Sequence, residues 1–139
     1  MTGPEAAVLC SLLPPLRRLA LQHRAACQAQ GVPWTAISGF RSTGYQAILY
    51  EHPELHPGTP AAKPGTSKHE LAAAYDVETA GMNDLQKLVF GQEAERLGLI
   101  WGGRFTDGAG HKTPDWGHCE LAASLPELAG YVIVTVLDA

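Results

Sequence analysis

The sequence predicts an α+β fold, and three observations carry that prediction. Apolar residues recur at helical spacing in separate segments, short runs of strand-like composition or alternation lie between them, and 139 residues suffice for one hydrophobic core but not two. One domain over 1–139 is therefore expected. In chain order, Leu16, Leu19, Ala20, His23 and Cys27 share a helical face, Pro14-Pro15 suits a helix entry and Gly31 a stop, which predicts a helix over 15–30. His23 falls on that stripe and is expected to be packed or partly exposed there instead of binding a ligand. Residues 34–38 read as a short strand. Thr43-Gly44-Tyr45-Gln46 has capping-box spacing, with Gln46 as the partner of Thr43, and opens a helix carrying Ile48, Leu49 and Tyr50.

From 52 to 66 the chain holds Pro53, Pro57, Pro60 and Pro64, which predicts a long loop, a kind of segment often used functionally. A strand is expected at 75–78. Asn83 or Asp84 then caps a helix carrying Leu85, Leu88, Val89 and Leu97 and closed by Gly98. A strand at 99–101 and a Gly-rich loop follow. On a strand over 117–121, alternation puts His118 and Glu120 on one face and Cys119 on the other, toward the core. The Val-rich run 131–137 reads as a buried strand.

Composition removes several function classes. The net charge is −4 and the Lys and Arg residues are scattered, so there is no electrostatic footprint for DNA or RNA. The cysteines number three, with no Cys-x-x-Cys pair, which argues against a disulfide framework or a thiolate metal site and makes them core thiols. Residues 1–5 lack the basic and apolar regions of a secretory signal, and 131–137 is far shorter than the roughly 20 residues of a membrane span. A monomer made in the cytoplasm without a signal peptide or membrane span is expected.

The residues richest in chemistry are His69, Asp76 and His118. Two imidazoles and one carboxylate suit a catalytic zinc site, which keeps three protein ligands and leaves a fourth position to water. From the residue types alone two unrelated histidines and a surface Asp are the equal alternative; with a site, one zinc ion per chain is expected. His69 and Asp76 would be roughly 23 Å apart in an extended chain, so the chain must bend between them, with His69 in a turn. An acid near the last histidine can take a proton from an activated water and pass it to a leaving amine, worth about 10²- to 10⁴-fold. Asp115, three residues before His118, and Asp107 both lie within reach, and sequence distance favours Asp115. His52 and His56 have helical ligand spacing, but Pro53 stands between them and the His-Glu-x-x-His pattern is absent. His111 lies in the segment 108–113, a solvated loop or a lid. Ser67 sits in no Gly-x-Ser-x-Gly elbow, so a serine hydrolase is unsupported.

The wording around these residues resembles a known family. Ser67, His69, Ala74 and Asp76 match Ser-x-His-x-x-Gly-x-Ala-x-Asp, with Ala72 where glycine is usual. Asp115-Trp116-Gly117-His118 matches an acid three positions before the last histidine. Gly98-Leu99-Ile100-Trp101-Gly102-Gly103 looks like the Gly-Leu-x-Trp-Gly-Gly segment of one branch, and Ser38-Gly39-Phe40-Arg41-Ser42 with Gln46 resembles a Gly-aromatic-Arg-Ser…Gln element. Together, from about 31 to 121, they resemble the zinc peptidases of bacterial cell walls: VanY-like D,D-carboxypeptidases and phage L-alanyl-D-glutamate endopeptidases.

The resemblance implies a hedgehog/D-Ala-D-Ala peptidase-like fold, with a small, mainly antiparallel sheet flanked by helices and zinc on the sheet face. It implies hydrolysis of an amide in the peptidoglycan stem peptide, with His69, Asp76 and His118 as metal ligands and Asp115 as the base. Arg41 would hold a substrate carboxylate or the developing oxyanion. Ser67 would contact substrate or brace its loop, Gln46 would have a place near the site, and Glu120 would orient a ligand from behind. The Trp-Gly-Gly segment favours the L-alanyl-D-glutamate endopeptidase. A D-alanyl-D-alanine carboxypeptidase and a non-catalytic zinc-bearing phage module are the alternatives. The expected place of action is the cell wall, reached through holin-made lesions or in a virion.

Overall fold

A computed structural model describes residues 1–55 and 61–123. Its elements are α1 (Gly3–Cys10), α2 (Pro14–Ala29), β1 (Ala36–Ser38), α3 (Thr43–Glu51), β2 (Ala74–Val77), α4 (Asp84–Arg96), β3 (Ile100–Trp101) and β4 (His118–Glu120). The strands form one antiparallel sheet in the order β1-β2-β4-β3. This is the α+β arrangement expected, with helices packed on a small sheet. The predicted strand at 131–137 lies outside the described residues. Among the described residues no helix is long and apolar enough to cross a membrane.

α2 forms where the apolar stripe placed it. Leu16, Ala20, His23 and Cys27 are all buried, and Gly31 takes the left-handed conformation that ends the helix (φ 71°) while the Val32 N–H returns to the Cys27 carbonyl. His23 is a polar centre in the core. Its Nε2 donates to the Phe90 carbonyl (2.8 Å), and Nδ1 accepts from Tyr75 Oη (2.7 Å) and Trp34 Nε1 (3.3 Å). Burial there lowers its pKa to about 4, against the raising pull of Phe90 and Glu93.

Several expectations are corrected. α1 is an additional helix, started by Thr2, whose hydroxyl accepts from the Glu5 N–H, with Pro in its first turn. α3 is capped by Ser42, not opened by a Thr43 box: Ser42 Oγ accepts from the Tyr45 N–H, and Thr43 Oγ1 reaches Glu70 Oε2. Gln46 is turned inward and buried. In α4, Leu85 and Leu88 point to solvent while Phe90, Gly91 and Ala94 form the packed face. A close approach decides this, since a Cβ at Gly91 would lie 2.3 Å from the Trp101 ring. Within the proline-rich segment, Pro53–Leu55 forms one 3-10 turn. Of the cysteines, Cys27 and Cys119 are core thiols as expected, whereas Cys10 is exposed.

Candidate metal centre

Between Ser67 and β2 the chain makes the bend that the motif requires. Ser67 caps a 3-10 turn (Lys68–Leu71): its hydroxyl accepts from the His69 N–H (3.2 Å), and Glu70 Oε1 accepts in return from the Ser67 N–H (3.2 Å). Ala72 ends the turn in the left-handed region (φ 56°, ψ 27°), a conformation that favours glycine. The chain then enters β2. Register does the rest: Asp76 stands directly opposite His118 and Tyr75 opposite Cys119, so Asp76 and His118 share the open face while Tyr75 and Cys119 fill the core.

His69, Asp76 and His118 thus converge, each offering one ligand atom, with these atoms all within 4.8 Å of one another. His118 Nδ1 lies 3.0 Å from Asp76 Oδ1 and 3.3 Å from His69 Nε2, and His69 Nε2 is 3.3 Å from Asp76 Oδ2. The other nitrogen of each imidazole is already bound. His69 Nδ1 donates to the Gly39 carbonyl (2.7 Å), and His118 Nε2 donates to Glu120 Oε1 (2.8 Å). These partners orient both rings so that His69 Nε2 and His118 Nδ1 face the carboxylate, the arrangement that metal-bound histidines use. Two oriented imidazoles and a carboxylate therefore fit zinc.

The electrostatics agree. Burial raises the Asp76 carboxyl, but His69 and His118 outweigh it and hold the group well below the usual carboxylate range. Burial lowers His118, yet Asp76 and Glu120, with Asp115 behind them, lift it to about 10. Burial also pushes Glu120 up, and His118 and Lys68 bring it down below its usual value. All three shifts have one cause, carboxylates and imidazoles held in direct contact.

The other candidate residues differ in how close they come to this centre. Asp115 Oδ2 is 4.0 Å from His118 Nδ1, on the turn that delivers β4. Asp107 is otherwise engaged: Oδ1 accepts from the Ala109 and His111 N–H groups (2.9 and 2.8 Å), and Oδ2 meets His111 Nδ1 (3.1 Å). The segment around it is a tight hairpin, with Thr106 bridged to Lys112, and the His111 side chain is exposed at its tip. Arg41 Nη2 is 2.8 Å from Asp76 Oδ2, and its Nη1 is 3.5 Å from Gln46 Oε1. Gln46 Nε2 donates to the Ala62 carbonyl (2.8 Å), so it ties Arg41 to the segment leading into the turn. Ser67 is buried and braces the His69 turn. His52 is exposed beside Glu54 (3.1 Å), and its supposed partner His56 lies outside the described residues.

Two residues went unread in the sequence. Lys68 Nζ holds Glu120 Oε2 at 2.6 Å, and Ser11 Oγ accepts from the Phe40 N–H at 3.1 Å, beside Gly39, whose carbonyl orients His69. Gly102 also matters. Its carbonyl accepts from the Asp115 N–H (2.8 Å), and a Cβ there would lie 2.4 Å from the Asp115 carbonyl oxygen.

Two openings meet at the centre. The larger, about 1000 Å³, is walled by Val8, Phe40, Tyr45 and Trp116, and the smaller, about 470 Å³, by Ser67, His69, Phe105 and His118. Arg41, Asp76, Thr113 and Asp115 line both.

Comparison with known proteins agrees with this arrangement. Residues 13–99 match the family described as VanY, D-alanyl-D-alanine carboxypeptidase. The match includes His69 and Asp76, and the folded sheet adds His118 to them. A vancomycin-resistance D,D-pentapeptidase VanY mutant solved in complex with Zn(II) superposes with a TM-score of 0.64 at 19% identity, covering 88% of this chain and 78% of that one. The L-Ala D-Glu endopeptidase ChiX of Serratia marcescens gives 0.57 at 17% identity, covering 88% and 89%. An L,D-carboxypeptidase, DacB, from Streptococcus pneumonia gives 0.61 at 21% identity, covering 89% and 72%. At these identities the likeness establishes the fold. No curated protein matches the chain in sequence.

Proposed function

The chain belongs to the VanY family of D-alanyl-D-alanine carboxypeptidases, and from that premise we propose that it is a zinc-dependent endopeptidase that cuts the peptidoglycan stem between L-alanine and D-glutamate. The observation that carries the choice of bond is the pair of openings meeting at the His69, Asp76 and His118 cluster. An endopeptidase must accept chain on both sides of the scissile amide, whereas a carboxypeptidase needs one side to end within a terminal residue. Among the described residues the site is open both ways, which suits the former.

Zinc, when bound, supplies a Lewis acid and a water whose acidity lies near neutrality. The chain's own residues supply the rest. Asp115 takes the proton of the attacking water and returns it to the leaving amine, a role its position beside His118 and its place in both openings support. Arg41 uses two of its five N–H groups on Asp76 and Gln46, and the others serve developing negative charge or a substrate carboxylate. Ser67 keeps His69 in place from within the smaller opening. The alternative base, Asp107, is committed to its hairpin.

The test offers intact muropeptides and a short D-alanyl-D-alanine peptide side by side to the zinc-loaded protein, with mass analysis of the products. Cleavage of the L-alanyl link, with the short peptide left whole, is expected. Rapid release of free D-alanine with the L-alanyl link intact would instead assign the D,D-carboxypeptidase reaction. Stoichiometric zinc binding with neither cleavage would assign a non-catalytic module.

A further inference from the structure

The two sequence segments that carry the ligands are far apart in the chain, and Lys68, outside the ligand set, reaches from one to the other. Lys68 precedes His69 in the 3-10 turn, and its ammonium lies 2.6 Å from Glu120 Oε2 on β4 and 2.6 Å from the Leu121 carbonyl. The other carboxylate oxygen, Glu120 Oε1, accepts from His118 Nε2 at 2.8 Å. Lys68 and Glu120 are both about 15% exposed, so the pair is held in a partly desolvated position instead of fraying in water. A lysine on the surface of a turn would ordinarily be solvated. This one bonds Glu120 on β4 and the Leu121 carbonyl just past the strand.

We infer that Lys68 is a positioning residue for the metal centre: it fixes the Glu120 carboxylate, which fixes the His118 ring with Nδ1 toward His69 and Asp76, and it clamps the turn bearing His69 to the strand bearing His118. The argument is geometric. Glu120 alone could rotate about its own χ angles and carry the His118 hydrogen bond with it, whereas a carboxylate gripped at its second oxygen, on an ammonium that also holds the neighbouring backbone, has one orientation available. The partner that orients a ligand histidine typically contributes about 10- to 100-fold to metal affinity. Lys68 acts one bond further out, and its effect runs through Glu120. The inference rests on the zinc reading of His69, Asp76 and His118, and the experiment separates the two.

Zinc dissociation constants are measured by competition with a chromophoric chelator for the wild type, Lys68→Met, Lys68→Arg, Glu120→Gln and the double variant Lys68→Met/Glu120→Gln. Visible spectra of the cobalt(II)-substituted proteins report ligand geometry, and circular dichroism reports the fold. Lys68→Met should weaken zinc binding about tenfold or more and perturb the cobalt spectrum in a folded protein, while Lys68→Arg recovers most of the affinity. In the Glu120→Gln background, adding Lys68→Met should change the constant by less than about threefold, because the chain of contacts is already cut. Wild-type affinity and spectrum in folded Lys68→Met would overturn the inference while leaving the metal reading intact. Full additivity of the two substitutions would do the same, and it decides the matter even if Lys68→Met is less stable. A wild-type protein that takes up no zinc would overturn the metal reading and this inference together.

Discussion

Gly102→Ala tests whether the Trp-Gly-Gly segment is a structural support for the metal centre. A methyl group at Gly102 would lie 2.4 Å from the Asp115 carbonyl oxygen, 2.9 Å from His118 Cβ and 3.1 Å from Asp115 Cβ, where ordinary contact begins at 3.4 Å. The turn must therefore retreat by about 1 Å, the difference between 3.4 and 2.4. Rotation cannot relieve the clash cheaply, because the Asp115 N–H is bonded to the Gly102 carbonyl and the His118 N–H to the Asp115 carbonyl. Overpacking of this kind costs about 1–3 kcal/mol of stability. A 1 Å shift also exceeds the roughly 0.5 Å tolerance of a ligand constellation, and misplacement of that size costs about 10²-fold in rate. The expected outcome is a folded protein with weaker zinc binding by chelator competition, lower stability in urea and muropeptide turnover down about 10²-fold. Gly108→Ala is the control, since nothing lies within 4 Å of a Cβ there. Wild-type zinc affinity and turnover in Gly102→Ala would refute the reasoning.

Three other perturbations probe separate parts of the molecule. Asp115→Asn should keep zinc yet lose roughly 10²-fold or more in turnover, while Asp107→Asn should leave turnover near wild type; the reverse pattern in steady-state kinetics would make Asp107 the base. Ala72→Gly removes a left-handed Cβ penalty of about 1–2 kcal/mol and adds about 0.4–1 kcal/mol of unfolded-chain entropy, so denaturation should show a gain of between about 0 and 1.6 kcal/mol; a loss would mean that the turn holds no such strain. His23 has a folded pKa of about 4, below the ordinary 6.5, so its contribution is fully present above pH 6.5 and lost as the pH falls toward 4. The stability advantage of wild type over His23→Gln should shrink by about 3 kcal/mol across that window, and a pH-independent gap in chemical denaturation would contradict it.

What the chain encodes locally could be read locally. Apolar spacing located α2 and set His23 on its apolar stripe, alternation turned Cys119 inward and His118 outward, and motif spacing singled out His69, Asp76 and His118 while requiring a bend between the first two. These are short-range properties, because helical and strand periods follow from backbone geometry over a few residues. The glycine usual at Ala72 carried one further signal, since a left-handed residue was needed there. Other features had no local signature. Gln46 has the spacing of a capping partner but is drawn inward by the Ala62 carbonyl and Arg41. Leu85 and Leu88 are apolar yet exposed, because the contact of Gly91 with Trp101 sets which face of α4 is packed. Sequence distance already favoured Asp115 over Asp107, and only the fold shows Asp107 accepting from the backbone of its own hairpin. Lys68 gained its partner only when β2 paired with β4, a register that sets Asp76 opposite His118 and brings Glu120 to the His69 turn. Periodicity is a property of each segment alone, whereas a side chain's partner depends on which distant segment the sheet lays beside it, so tertiary structure alone decided these contacts.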